Sequence, residues 1–360
     1  TDHRKRGCGG PVNVTSVYVE ITNQCNLNCR TCYNRSGLNR TREELSCEDL
    51  EQLIQLFLPL GLKHLSLSGG EPTLHSAFDK VLGLTERHPQ LQFSLTTNGT
   101  TNSRPLIDRM AAASNLALQI SLDGSCEEVN AKTRGAGNFS RVMDLIRSLP
   151  AKKECRLKMV ISQDNDNDIE AFYRLAVSLG LLPEFAFLFR AGNGRAQWED
   201  RALSPRRKMA ALRLIDRLNK EYRMEAALPL ATDRCPYAEG LNKLSLCVKP
   251  DGSIQPCQML YGSQYSLGNI RHFDLGDFGV QLDRLSELAK TRLATDYTCA
   301  KCLLKGSCGK GCLATAVYLS DDPLADDGDC ELRRLQFVGL QAAELFHLKE
   351  VAVHGQAKDS

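Results

Sequence analysis

Between about residues 14 and 191 the chain alternates short β-rich apolar runs with longer stretches whose apolar residues recur at helical spacing. The strand candidates are 16–22 (SVYVEIT), 63–68, 92–97, 116–121, 156–162 and 184–190. Helix ends between them are legible: Ser46 and Asp49 make a capping-box-like start before LEQLIQLFL, and Gly180 stops IEAFYRLAVSL. Ser204-Pro205 opens a further helix running to about Tyr222. Strand and helix alternating in this way predict a parallel sheet of six βα units, too few for a closed eight-fold barrel. The expected fold is therefore α/β, a partial barrel whose open side is covered by a later part of the chain. From about residue 231 the pattern changes. LSLCVKPDGSIQPC reads as a hairpin turning at Pro250-Asp251-Gly252, and a helical pattern from about 331 to 353 closes the chain. The expected divisions are 1–200 for the barrel, 201–230 for a linking helix, 231–332 for a cysteine-rich domain and 333–360 for a terminal helix and tail.

Composition narrows the class. Of 360 residues 42% are hydrophobic and 24% charged, which are globular proportions, and no apolar run approaches the roughly 18 residues of a spanning helix. Forty-five Lys and Arg against 43 Asp and Glu leave a net charge of +2, so nothing favours nucleic acid or an anionic membrane as partner. The opening TDHRKRG is basic, but no apolar stretch follows it as a secretory signal requires, and a cytoplasmic location is expected. Cysteine is the outlier at 15 residues. In a reducing compartment so many thiols point to metal binding or reactivity rather than disulfides. Eight lie between Cys235 and Cys330, and three more are packed into the loop after the first strand candidate.

That loop, ITNQCNLNCRTCYN, carries Cys25, Cys29 and Cys32. Three thiolates wrapped by one loop suit a cubane iron–sulfur cluster with one iron left open, with zinc as the alternative. Here the chain resembles the radical S-adenosylmethionine (SAM) superfamily, whose CxxxCxxC follows the first strand of a partial (β/α)6 barrel. The resemblance implies a [4Fe-4S] cluster whose open iron is chelated by SAM, and reductive cleavage of SAM to a 5′-deoxyadenosyl radical.

The later strand ends add to it. SLSGGEPTL matches the family's GGEP motif: Gly69 and Gly70 would let backbone approach the ligand, and Glu71 would offer its carboxylate to the SAM ammonium. Asn98 in TTNGT and Ser121 in SLDG lie where the family contacts ribose and methionine, or serve as ordinary turn residues. Arg134 in RGAGNF matches the arginine used against the SAM carboxylate, with a plain surface arginine as the alternative. Tyr33 sits where the family carries an aromatic near the adenine, or simply packs.

The second cysteine group, TCAKCLLKGSCGKGC, has Cys299, Cys302, Cys308 and Cys312 in C-x2-C-x5-C-x3-C, with Cys330 beyond. One zinc takes four ligands, and these five with Cys235 and Cys257 are too many. The pattern resembles the SPASM extension of radical SAM enzymes, which carries two auxiliary [4Fe-4S] clusters, making three in all. Carried over by position, Cys299, Cys302, Cys308 and Cys330 hold one, and Cys235, Cys257 and Cys312 the other. Cys247 is either a fourth ligand of the latter or a core residue of the hairpin. If it is core, that cluster has an open iron able to hold substrate. Cys8, Cys47 and Cys155 read as packed thiols. Cys126, just past the fourth strand, is either the same or a thiol that returns a hydrogen atom to a substrate radical.

The resemblance implies an oxidoreductase in which the deoxyadenosyl radical takes a hydrogen atom and auxiliary clusters accept the remaining electron. A ribosomally made precursor peptide, cross-linked through a thioether or carbon–carbon bond, is the first substrate expectation, with a flavodoxin- or ferredoxin-type electron donor. Dehydrogenation or epimerisation of a sugar, aminocyclitol or peptide residue is the rival. Sulfatase maturation ranks lower, because Gln258 stands where those enzymes carry a basic aspartate, and glutamine cannot take a proton.

Overall fold

The computed structural model describes residues 12–338 apart from 40, 151–152, 230–234, 242, 295–298, 300 and 305–307. Among them one nine-stranded sheet runs in the order β6-β5-β4-β3-β2-β1-β7-β8-β9. The first six strands are β1 (Val14–Thr22), β2 (His64–Gly69), β3 (Gln92–Thr97), β4 (Leu116–Ser121), β5 (Cys155–Ile161) and β6 (Leu182–Phe187), each parallel to its neighbour. Helices α1 (Cys47–Phe57), α2 (Phe78–Arg87), α3 (Arg104–Ala112), α4 (Glu127–Arg134), α5 (Asn138–Ser148) and α6 (Ile169–Ser178) make the crossovers. The six expected strands are therefore present. The last ends earlier than its pattern suggested, because the chain turns back toward the β1 loop at Gly192 and Asn193.

Local chemistry accounts for the elements. Ser46 and Asp49 close a full capping box on α1, and the Ser204 hydroxyl accepts from the Arg207 amide to start the helix Pro205–Tyr222. Strand alternation sends Val17, Val19 and Ile21 of β1, with Leu65, Leu67, Leu95, Ile120, Leu157 and Met159, to one fully buried face. They pack with Leu53, Ile54 and Phe57 of α1 and equivalent residues of the other helices, each worth about 1.5–3 kcal/mol of transfer free energy. The opposite positions are polar. The Ser94 hydroxyl donates to Ser66 (2.8 Å), Tyr18 bonds Ser68, and the Lys158 ammonium donates to Glu184 (2.8 Å).

The hairpin forms as β7 (Leu244–Val248) and β8 (Ser253–Gln255), with Gly252 at φ 83° in the turn and β9 (Gly268–Asn269) beyond. It does more than cover the barrel's side: β7 lies parallel to β1, Cys247 opposite Tyr18, so the cysteine-rich segment extends the same sheet. Residues 330–338 are helical, and the rest of the expected terminal helix lies outside the described residues, as does Cys8. Among the described residues no helix is long and apolar enough to cross a membrane.

Candidate active site

The first cysteine loop leaves β1 at Thr22. Cys25, Cys29 and Cys32 are all half-buried in it. The Leu27 amide donates to the Cys25 sulfur (3.5 Å), and the Cys32 amide to the Cys29 carbonyl (3.2 Å). Burial pushes the Cys25 thiol up to about 11 and that of Cys29 to about 12, the latter restrained by the Arg134 charge. Iron binding would displace those protons, so cluster assembly and deprotonation are coupled here.

Two clamps hold the loop. On one side the Gly70 amide donates to the Thr22 carbonyl (2.8 Å) and the Glu71 amide to that of Gln24 (2.7 Å). A Cβ at Gly70 would stand 2.1 Å from the Gln24 oxygen, and one at Gly69 2.2 Å from that of Thr22. On the side a Cβ would occupy, the two glycines thus admit the cysteine loop's own backbone. On the other side the Asn193 amide donates to the Cys32 carbonyl (2.8 Å) and its side chain to that of Cys29 (2.8 Å). Gly192, at φ 57°, lies so close that a Cβ would meet the Tyr33 oxygen at 2.3 Å. Reading the sequence for motifs passes over this second clamp. The available signal was AGNG, a glycine-rich turn directly after the sixth strand.

Glu71 is engaged inside the protein. It is fully buried, and its carboxylate accepts from the Thr73 amide (3.2 Å) and hydroxyl (2.7 Å), the Thr97 hydroxyl (2.8 Å) and the Asn98 amide (2.7 Å). Burial pushes its carboxyl upward against the pull of those donors. Three donors crowd Oε1 and the Asn98 amide alone meets Oε2, so the carboxylate braces β2 to β3 while Oε2 keeps an acceptor position.

Asn98 belongs to the same brace. Its amide nitrogen donates to the Asn26 side chain (2.9 Å) and faces the Cys25 sulfur at 3.8 Å, while its carbonyl accepts from Asn138 (3.2 Å). Asn130 donates to Asn138 (3.0 Å) and accepts from the Asp123 amide (2.8 Å). Asp123, fully buried, then accepts from the Val160 amide (2.8 Å), the Thr133 hydroxyl (2.9 Å) and Arg134 Nη2 (3.3 Å), with Arg134 Nε paired to it as an ion at 2.9 Å. A continuous polar chain thereby joins the strand ends to the cysteine loop. Burial opposes the Arg134 charge, but Asp123 and the Cys29 thiol hold it above its ordinary value. It is a buried partner of Asp123, not a surface arginine. Ser121 ends β4, half-exposed.

Tyr33 donates to the Tyr18 hydroxyl (3.1 Å), and burial pushes both phenols up. Nearby, the Lys249 ammonium donates to Glu20 (2.6 Å) and Asn34 (3.3 Å) and stands 4.6 Å from the centre of the Tyr261 ring. Glu20 and Lys249 carry no motif, and their pairing across 229 positions was invisible in the sequence. Cys247 is fully buried on β7, and burial first, then the Glu20 charge, pushes its thiol far up. The Cys257 thiol is near enough to add to that push. Cys126 is exposed just before α4, outside the buried polar chain.

In the second region burial raises the Cys235 and Cys257 thiols, and the nearby Cys312 sulfur adds to both, so the three lie near one another. Cys299, Cys302, Cys308 and Cys330 are half-buried. The Cys302 amide donates to the Cys299 carbonyl (3.1 Å), and the Gly311 amide to that of Cys308 (3.0 Å). Among the described residues no three His, Cys, Asp or Glu side chains are gathered tightly enough for a single ion.

The family model for the radical SAM superfamily matches residues 19–176, the stretch from the middle of β1 into α6. That part of the chain is a radical SAM domain. Such enzymes bind a [4Fe-4S] cluster and SAM, and the cysteine loop supplies a fitting donor set. Similarity continues beyond the domain. The chain is 27% identical over 344 residues to mycofactocin maturase MftC of Mycolicibacterium smegmatis, covering 91% of this chain and 84% of that one. Its fold matches anSMEcpe, solved with bound AdoMet, at TM-score 0.71 and 20% identity over 93% and 99% of the two chains. It also matches Streptococcus suis SuiB bound to precursor peptide SuiA, at TM-score 0.71 and 16% identity over 89% and 76%. The fold, a radical SAM domain followed by a cysteine-rich region, is thus shared with both solved structures.

Proposed function

We propose that this radical SAM enzyme oxidises a ribosomally made precursor peptide and closes a cross-link within it. What carries the reading is that similarity to a maturase extends through 91% of the chain, cysteine-rich region included. The neighbour solved with its precursor peptide supports it. When bound, the cluster and SAM supply a 5′-deoxyadenosyl radical that takes a hydrogen atom from substrate. Cys25, Cys29 and Cys32 would hold that cluster, Arg134 would meet the SAM carboxylate while Asp123 fixes its direction, Ser121 would line the site, and Tyr33 would lie against the adenine. The polar face of the sheet, from Tyr18 across to Lys158 and Glu184, would seat peptide amides and side chains. Cys235, Cys257 and Cys312 would hold one auxiliary cluster and Cys299, Cys302, Cys308 and Cys330 the other, giving the electron left on the substrate a destination. A flavodoxin- or ferredoxin-type protein would supply the first electron.

The test is mass spectrometry of synthetic peptides from short neighbouring reading frames, incubated anaerobically with reconstituted enzyme, SAM and reductant in light and heavy water. A loss of two hydrogens with fragmentation blocked across a segment is expected. Deuterium gained without oxidation would mean epimerisation, and turnover of a sugar or aminocyclitol with no response to peptides would overturn the reading. For SAM recognition, Arg134→Ala should weaken binding by about 1.5–3 kcal/mol, the worth of a charged hydrogen bond, with iron content unchanged. Titration calorimetry on the loaded enzyme measures it, and equal affinity would remove Arg134 from the SAM site.

A further inference from the structure

The cysteine groups have buried arginines tied to the backbone or carboxylate that shapes their loops. Beside the first loop, Arg134 has a side chain only 9% exposed and pairs with Asp123 at 2.9 Å, while the Arg30 amide, between Cys29 and Cys32, donates to the carbonyl of the adjoining Thr133 (2.9 Å). Arg292, fully buried, donates to the carbonyls of Gly311 (3.1 Å) and Lys310 (3.3 Å), the two residues before Cys312, and to that of Ala325 (2.9 Å). Arg333, 3% exposed and three residues past Cys330, grips both oxygens of Asp327 (2.9 and 2.6 Å). Asp327 in turn accepts from the Cys312 amide (2.9 Å).

Arg134 lies beside Cys29 and Cys32. Arg292 and Arg333 lie near one another: a Cβ on Gly311, whose carbonyl Arg292 holds, would stand 2.4 Å from Arg333 Nη1, with Asp327 between the two and Cys235, Cys308 and Cys312 around them. Solvent exposure of long cationic side chains is the norm, and burying one is costly unless its charge has a use or a partner. A fixed positive charge beside a cluster stabilises the form carrying one more electron, and a weakly screened interior lengthens the reach of that effect.

We propose that these buried arginines set the reduction potentials of the cysteine-held clusters: Arg134 that of Cys25, Cys29 and Cys32, and Arg292 and Arg333 together those of the auxiliary pair. Asp123 moderates Arg134, and Asp327 moderates the other two. Arg292 and Arg333 act as positioning charges, while Arg134 would also meet SAM, and its cluster is therefore titrated without it. The inference rests on the cluster reading of the cysteines but not on any peptide.

The experiment is an EPR-monitored redox titration of anaerobically reconstituted full-length enzyme with dithionite and mediators, iron being counted first. The SAM-binding cluster is recognised by its loss in the Cys25→Ala variant, and the auxiliary pair by cysteine-to-alanine variants of Cys257 and Cys299. Arg134→Gln, Arg292→Gln and Arg333→Gln keep hydrogen-bond donors and remove the charge. Arg134→Gln should move the midpoint of the SAM-binding cluster alone to more negative potential, and Arg292→Gln and Arg333→Gln those of the auxiliary pair alone. Asp123→Asn and Asp327→Asn should move the clusters beside Arg134 and Arg333 the opposite way, so a glutamine variant that fails to load does not close the question. Loaded variants with all midpoints at wild-type values, or every variant shifting all three clusters together, would overturn the proposal. Absence of iron after reconstitution would instead overturn the cluster reading beneath it.

Discussion

Replacing Cys25, Cys29 and Cys32 together with alanine should abolish SAM cleavage while leaving about two thirds of the iron of a protein that otherwise carries roughly twelve atoms. The two losses are separable because the cysteine sets occupy different parts of the fold: the first loop hangs between β1 and the clamps at Gly70 and Asn193, whereas the other sets come from Cys235 onward. Anaerobic reconstitution, iron analysis and chromatographic measurement of 5′-deoxyadenosine decide it. Retained cleavage would remove the loop from the chemistry. Loss of all the iron would show that the other cysteines hold none by themselves. Stoichiometric zinc and no brown colour in the wild type would overturn the iron–sulfur assignment for this chain.

What the sequence disclosed and what it hid follow from the range of the interactions involved. The six parallel strands, the capping box at Ser46 and Asp49 and the turn at Gly252 depend on neighbours a few positions away, so periodicity and turn chemistry reach them. That β7 would lie along β1 depends on an edge left open by residues more than 200 positions earlier, and no local pattern encodes it. The same holds for the Lys249 and Glu20 pair and for Asn193 on the cysteine loop. Motifs behave differently again. CxxxCxxC and GGEP located the right strand ends, but a motif names a residue without saying what its atoms touch. Arg134 matched its motif, yet nothing in RGAGNF shows that Asp123 would hold it; Glu71 matched too, and its carboxylate proves to take four hydrogen bonds inside the protein.

Glu71 therefore yields a prediction opposite to the one its motif invites. If the carboxylate served the SAM ammonium, Glu71→Ala would leave the apo fold untouched and lower only SAM affinity. With its oxygens engaged as observed, the substitution strips acceptors from four donors: the hydroxyls of Thr73 and Thr97 and the amides of Thr73 and Asn98. Hydroxyls rotate toward other acceptors, but a buried amide stays where the backbone puts it, and each unsatisfied group costs about 1–3 kcal/mol. Apo protein should accordingly lose about 2–5 kcal/mol of stability in urea unfolding, with the slope against urea unchanged. Glu71→Gln keeps one acceptor but turns an amine toward either Asn98 or the threonines, and should fall between alanine and wild type. Because Asn98 also faces Cys25 and Asn26, the displaced strand end should loosen the cysteine loop, and iron of the SAM-binding cluster should fall with stability in the same order. An alanine variant as stable as wild type, with full iron and weakened SAM binding, would return Glu71 to the ligand.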